Sequence, residues 1–250
     1  MSIRHAFITG AGSGIGLATA RALGATNAKL TLAGRSFEKV RAAAEEFEFA
    51  HAVACDVANE ASVNAAFAEA RERYGAVDIL INNAGQAPSA PFKRTTLEFW
   101  NNVLAVNLTG AFLCAQAALP DMLDAKWGRI VNVGSVCALK GYAYVSAYVA
   151  SKHGLLGLTR ALAHETAKQG VTVNCVCPGY VDTPIIAESV ERLTSKTSLT
   201  TDEAHASLIQ FNPQGRIITP EEVASAIAYL CGDAAASING AAIPVTGGEI

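Results

Sequence analysis

The sequence predicts an α/β fold: a single doubly wound domain with a seven-stranded parallel sheet and helices on both faces. Three observations carry this. Strand-like apolar runs alternate with alanine-rich helical stretches from one end of the 250 residues to the other. Hydrophobic residues make up 51% of the chain and charged ones 16%, which suits a sheet buried on both faces. A glycine-rich turn, Thr9-Gly10-Ala11-Gly12-Ser13-Gly14-Ile15-Gly16, separates the first strand from the first helix, where backbone N–H groups and the helix N-terminus favour an anion.

In chain order, apolar Ala6 to Thr9, the glycine turn, a helix through Ala18 to Ala25 and apolar Leu30 to Ala33 make a β-α-β unit. Further strands are expected near His51–Ala54, Val77–Ile81, Arg129–Val133, Val171–Val176 and Ala241–Val245. Asp56-Val57 follows the third strand, before a helix beginning near Asn59, and Asn82-Asn83-Ala84-Gly85 follows the fourth. With no linker, repeat or low-complexity tract, residues 1–250 read as one unit. The alternation breaks at 183–216, where Pro184, a Ser/Thr/Glu-rich stretch and an Asn212-Pro213-Gln214-Gly215 turn intervene. A connection that long is expected to be a lid carrying short helices.

The net charge is −3 with no basic stripe, so neither nucleic acid nor a membrane surface is expected as a partner. Met1-Ser2-Ile3-Arg4-His5 runs straight into a strand, and no apolar run reaches the roughly 18 residues of a spanning helix. A soluble, cytoplasmic protein is the expectation. Six cysteines (Cys55, Cys114, Cys137, Cys175, Cys177, Cys231) lack a scaffold spacing and read as buried free thiols. Cys175-x-Cys177 is too close for a zinc ribbon and the five histidines form no ligand pattern with it, so no metal is expected. The sequon Asn107-Leu108-Thr109 is expected to stay unmodified without a signal peptide.

Tyr148 and Lys152 stand at i and i+4 in Tyr-Val-Ala-Ser-Lys, on one face of a helix, with Ser135 upstream. A cation there would lower the phenol's pKa from about 10 toward a range useful for proton transfer. Alone, such a pair is far more often a packed Tyr and a solvated Lys, since helices hold many by chance. The glycine turn changes that reading, since Gly10, Gly14 and Gly16 can admit a pyrophosphate to the backbone, although Gly-x-x-x-Gly-x-Gly is a variant of the common Gly-x-Gly-x-x-Gly spacing. The second strand ends Leu32-Ala33-Gly34-Arg35-Ser36. Without a carboxylate to repel it, a 2′-phosphate could be gripped by Arg35, which favours NADP(H), while adenine stacking by Arg35 keeps NAD(H) open. Asp56 could accept from an adenine amino group or cap the next helix. Asn83, Ala84 and Gly85 could let a cofactor approach or form a plain turn. Together these features read as a nicotinamide-dependent oxidoreductase.

With Asn107 and with Pro178-Gly179 followed by Thr183, these motifs resemble the short-chain dehydrogenase/reductase (SDR) family over essentially the whole chain. The resemblance implies a Rossmann-type domain, a substrate lid, a homotetramer, and a cofactor groove of Gly10, Ser13, Gly14, Ile15, Gly16, Arg35, Asp56, Val57, Asn83, Ala84, Gly85, Tyr148, Lys152, Pro178, Gly179, Val181 and Thr183. It implies Tyr148 as general acid or base, Lys152 on the nicotinamide ribose and lowering the Tyr148 pKa, Ser135 on the substrate oxygen, and Asn107 holding a helix kink and a relay water. Gln86, Ala87, Val136, Cys137, Ala138 and Tyr142 should face the substrate in a mostly apolar pocket. The lid should add Ile185, Ile186, Val190, Leu193, Leu199, Leu208, Ile209 and Phe211. Residues 200–216 are similar to lids of family members that reduce 3-oxoacyl thioesters, polyketide ketoreductases included. Lys140, Arg192 and Lys196 either attract a phosphopantetheine or coenzyme A phosphate or are solvated charge. The expected activity is NADPH-dependent reduction of a 3-oxoacyl-type or related apolar ketone. Its rivals are an NAD-dependent alcohol or 3-hydroxyacyl dehydrogenase working oxidatively, a non-catalytic dinucleotide sensor, and a sugar-nucleotide epimerase, which the chain length and glycine spacing disfavour.

Overall fold

The apolar runs become strands β1 (His5–Thr9), β2 (Lys29–Gly34), β3 (Ala50–Ala54), β4 (Ile79–Asn82), β5 (Gly128–Val133), β6 (Val171–Pro178) and β7 (Ala242–Val245) in the computed structural model, each within two residues of its expected limits. The structure describes residues 3–197 and 199–250, without the side chains of Arg192, Leu193, Lys196 and His205. All pairs are parallel and the order is β3-β2-β1-β4-β5-β6-β7. The strand order reverses beside β1, so β1 and β4 are neighbours whose following loops open together at the carboxyl edge, the crevice in which such sheets bind ligands. At the far edge of the sheet, β7 pairs with β6 and places Pro244 opposite Cys177.

Two cores cover the faces. Ala20 and Leu23 of α1 (Gly14–Gly24), Val40 and Ala43 of α2 (Phe37–Ala44), and Val223, Ile227 and Leu230 of α9 (Pro220–Cys231) pack in one. The other takes Val63, Ala66 and Phe67 of α3 (Glu60–Tyr74), Cys114, Ala118 and Met122 of α5 (Gly110–Ala125), and Ala163 of α6 (Ser146–Thr166). Phe7 of β1 stacks on Phe67 with ring centroids 4.0 Å apart. Burial of these side chains from water supplies the main drive to this layering.

Helix α4 (Leu97–Leu104) runs through a π-helical turn, Ala105–Thr109, into α5 without a break. By length and composition alone, Leu97–Ala125 could cross a bilayer. The expectation that no stretch reaches that length counted uninterrupted apolar runs, whereas this helix spreads a few polar residues over 29 positions. Its apolar side chains at Cys114, Ala115, Ala118 and Met122 are spent against the sheet.

In the 183–216 segment, Pro184 opens helix α7 (Pro184–Lys196) instead of interrupting structure, because proline is well tolerated in a first helical turn. Thr200 and Glu203 form a reciprocal capping box at the start of α8 (Thr201–Ile209). Ile186, Val190, Ala204 and Leu208 pair the two helices into a small core of their own, against which Tyr180 packs.

Candidate active site

The glycine turn and the turn after β4 are knitted together. The Thr9 hydroxyl accepts the N–H groups of Asn83 at 2.9 Å and Ala84 at 3.0 Å, and the Asn83 amide donates to the carbonyls of Thr9 at 3.0 Å and Gly10 at 3.1 Å. Gly10 sits at φ +65°, and a Cβ there would lie 2.9 Å from the Asn83 amide nitrogen, while one on Gly16 would run into the Gly10 carbonyl. Only glycine permits that approach. Ser13 is exposed at the entrance to α1, Gly14 abuts Thr183, and Ile15 reaches a cavity beyond the turn.

Arg35 is exposed at the carboxyl end of β2. Asp56 accepts the N–H of Ala58 at 3.0 Å, and Asn59 rather than Asp56 caps α3, taking the N–H of Ser62 at 3.0 Å. The Val57 side chain is buried against Gly110, where a Cβ would come within 2.8 Å, and lies in the core under α5.

The second half of the site hangs on β5, β6 and α6. Ser135 follows β5, and its Oγ accepts the N–H of Cys137 at 3.1 Å. Tyr148 and Lys152 share the face of α6 beside it, with the Lys152 ammonium 5.6 Å from the Tyr148 ring centroid. Lys152 is buried and donates to the Val133 carbonyl at 2.7 Å. Burial, the largest effect, holds the Lys152 pKa below its ordinary value. Burial also pushes the Tyr148 phenol upward, with a smaller opposing pull from the Ser135 hydroxyl. Lys152 does not figure among the main influences on the phenol, so the lowering expected from it is not found, and burial holds the group as a proton donor.

Asn107 lies in the π-helical turn, 1% exposed. Its Oδ1 accepts the Gln86 N–H at 2.9 Å, and its Nδ2 donates to the Gln86 carbonyl at 2.9 Å and to the Ser151 hydroxyl at 3.2 Å. Ser151 in turn donates to the Tyr148 carbonyl at 2.7 Å. The amide is thus consumed in tying the turn after β4 to α6. π-helical turns of this kind concentrate at functional sites.

These groups meet at a cavity of about 590 Å³ lined by Ile15, Asn83, Gly85, Ser135, Tyr148, Lys152, Pro178, Gly179, Val181 and Thr183, and on its outer side by Gln86, Ala87, Val136, Cys137, Tyr142, Ile185, Ile186, Leu208 and Phe211. Ala138 is not among them. The short 3₁₀ turn Val136–Ala138 rotates it into a buried cluster with Leu156, Cys175 and Cys177. Val190 is likewise spent in the core between α7 and α8, and Leu199 lies exposed at the foot of α8. Burial pushes the Cys137 thiol up to about 11, so it is a small lining group and no thiolate. Lys140 is not free at the mouth, being 3.0 Å from the Glu249 carboxylate, while the side chains of Arg192, Lys196 and Leu193 lie outside the described residues.

Sequence reasoning missed three contributors. Tyr180 lines the cavity and stacks on Phe211 at 5.9 Å. Residues 143–145 form part of the rim, with the Tyr144 carbonyl taking the Ala90 N–H at 2.8 Å. Under the site, Asn82 donates to Asn132 at 2.9 Å and Asn132 to the Thr159 hydroxyl at 2.9 Å, a buried polar chain from β4 through β5 to α6. The apolar neighbours of Asn82 and Asn132 in sequence hint at burial, and nothing in the spacing hints at the pairing.

A family model for short chain dehydrogenases matches residues 4–194. The chain belongs to that family. It is similar to the 3-oxoacyl-(acyl-carrier-protein) reductase FabG of Aquifex aeolicus, 38% identical over 96% of this chain and 95% of that one. It is also similar to a D-beta-hydroxybutyrate dehydrogenase of Cupriavidus necator, 37% identical over 99% and 98% respectively. A crystal structure of an actinorhodin polyketide ketoreductase variant with NADPH superposes with a TM-score of 0.95 at 38% identity, over 99% of this chain and 97% of that one. The chain is accordingly an oxidoreductase that interconverts a ketone and an alcohol with a nicotinamide cofactor.

Proposed function

We propose that this chain, acting as one catalytic domain over residues 1–250, reduces the ketone of an apolar, 3-oxoacyl-type substrate with NADPH, Tyr148 supplying the proton. The observation that carries this is the convergence of Ser135, Tyr148 and Lys152 on one wall of a cavity whose outer lining is mostly apolar. Bound there, the nicotinamide supplies the hydride to the carbonyl carbon.

The residues fit that cofactor. A buried ammonium has three donor hydrogens, and the Val133 carbonyl takes one, so Lys152 suits the hydroxyls of a ribose. Ser135 accepts from Cys137 through a lone pair and keeps its own proton to donate toward the substrate oxygen. Tyr148, kept protonated by burial, donates to that oxygen as the alcohol forms. Asn107 fixes Gln86 and, through Ser151, the first turns of α6, so its role here is to hold the two halves of the site in register. Helices α7 and α8 close the apolar end, and the exposed Leu97 and Phe112 on α4 and α5 support a homotetramer built through that face.

The exposed Arg35 at the end of β2 supports NADPH, as does the NADPH in the ketoreductase neighbour. Arg35→Ala is expected to raise KM for NADPH by about 10-fold or more over its effect on NADH, the size of a lost charge-assisted pair. Equal losses with both cofactors would leave Arg35 as an adenine-stacking residue. A 3-oxoacyl substrate is supported by the FabG and polyketide relatives and by the apolar lining. The test is consumption of NADPH and NADH with a panel of 3-oxoacyl thioesters, diketones and cyclic ketones. A second reading, oxidation of a 3-hydroxy acid with NAD, is favoured by the hydroxybutyrate dehydrogenase relative. Turnover of NAD with 3-hydroxybutyrate and none of NADPH with the ketone panel would select it.

A further inference from the structure

Tyr142 lines the outer cavity, and its hydroxyl donates to the carboxylate of Glu249, a residue 107 positions away. The Glu249 side chain is only 3% exposed, and the oxygen that takes the Tyr142 proton also takes the Lys140 ammonium at 3.0 Å. Its other oxygen is buried beside Gly179 with no hydrogen-bond partner among the described residues. A carboxylate left half satisfied in the interior is a poor stabilising device, which points to a use for it. The Tyr142 ring is pinned as well: Lys140 lies 5.1 Å from its centroid, and Phe211 meets it edge-on at 6.1 Å.

A phenol carries one proton and two lone pairs. With the proton committed to a carboxylate, a charge-assisted bond stronger than any to a neutral acceptor, Tyr142 has only lone pairs to offer the cavity. We propose that Tyr142 is a specificity-determining residue, held by Glu249 and Lys140 as an obligate hydrogen-bond acceptor. It would select substrates that place a hydroxyl or amide N–H beside it over those that place a carbonyl or ether oxygen there. Glu249 is the positioning residue, acting through Tyr142. The inference rests on the reading of this cavity as the substrate site. The donor can be a hydroxyl on a ring or the amide of a pantetheine-like arm, and both present the same chemistry to the phenol.

Equilibrium binding of matched pairs separates these cases. One pair is 4-hydroxycyclohexanone and 4-methoxycyclohexanone; the other is the 3-oxobutanoyl thioester of N-acetylcysteamine and its analogue with an ester in place of the amide. The wild-type protein with bound dinucleotide is expected to bind the donor member of at least one pair about tenfold tighter, the worth of one hydrogen bond. The pair that shows it identifies the source. In Tyr142→Phe the ratio should fall to about one. In Glu249→Ala, which removes the acceptor, the phenol proton is released and the ratio should invert, which loss of packing alone would not produce. Each ratio is internal to one variant, so partial unfolding cancels. Equal binding within both pairs by the wild type, no binding of any member, or an undiminished ratio in Tyr142→Phe overturns the inference. Turnover run alongside tests the ketoreductase reading separately: discrimination without turnover sinks that reading alone, and turnover without discrimination sinks this one alone.

Discussion

Tyr148 stands half-buried between Ser135 and a set of apolar and thiol neighbours, with burial as the main influence on its phenol. Tyr148→Phe removes one transferable proton and little else, so turnover should fall by about 10²–10⁴-fold, the usual worth of a positioned acid. Dinucleotide affinity, read by fluorescence titration, should stay within about twofold. A variant retaining more than a tenth of its turnover would mean another group supplies the proton. At this scale the sequence was legible where chemistry imposes fixed local spacing, as in Tyr148-x-x-x-Lys152 and the glycine turn. It was illegible where partners are brought together by tertiary folding, as with Glu249 on Tyr142 or Asn132 on Thr159. Ala138 misleads for a related reason, since it follows the cavity-lining Cys137 in sequence while a short turn rotates it into a buried cluster.

At the scale of elements, the strands were readable because continuous apolar runs suit a sheet covered on both faces. The junction of α4 with α5 was not, since a π-helical turn leaves no compositional mark beyond an asparagine among apolar residues. Helix α5 ends on Lys126 in the left-handed conformation, φ 50° and ψ 31°, a position that favours glycine. The strain of a side chain there is about 1–2 kcal/mol, against about 0.4–1 kcal/mol for the greater unfolded-state freedom of glycine. Lys126→Gly should therefore stabilise the protein by about 0.5–1 kcal/mol, seen as a higher urea midpoint with an unchanged slope. A lower midpoint would show that the lysine stem contributes packing greater than the strain.

For the molecule as a whole, the buried His5 joins β1 to its surroundings. Its Nε2 lies 2.9 Å from the Thr31 hydroxyl, and its Nδ1 lies 3.0 Å from the Gly75 carbonyl and 3.2 Å from that of Ala76. Two carbonyls at Nδ1 assign the proton there, leaving Nε2 to accept from Thr31 in the neutral ring. Burial lowers the His5 pKa from 6.5. The unfolded chain thus takes up a proton at higher pH than the folded one, so the stability is present above pH 6.5 and is lost as pH falls below it. The melting temperature should drop between pH 7.5 and 5.5, and His5→Gln should flatten that drop; a wild-type curve already flat over this interval would rule the effect out. A separate loss begins at more acid pH. Glu222, held down to about 2 chiefly by its hydrogen bond to Arg216, and Glu46, held low by Arg21, contribute stability that is lost as they protonate.

The outer rail of the sheet carries a last consequence. Cys175 donates to the Ala241 carbonyl at 2.9 Å and Gly179 to that of Val245 at 3.0 Å, so alternate residues of β7 turn their backbone toward β6 and the backbone of residue 244 turns outward. Pro244 occupies that outward position and has no N–H to offer. An unfolding neighbour that tried to add itself as an eighth strand would find a missing rung midway along a four-residue edge. The same residue that ends the sheet therefore acts against fibrous self-association at high protein concentration, a property of the colloid more than of the single molecule.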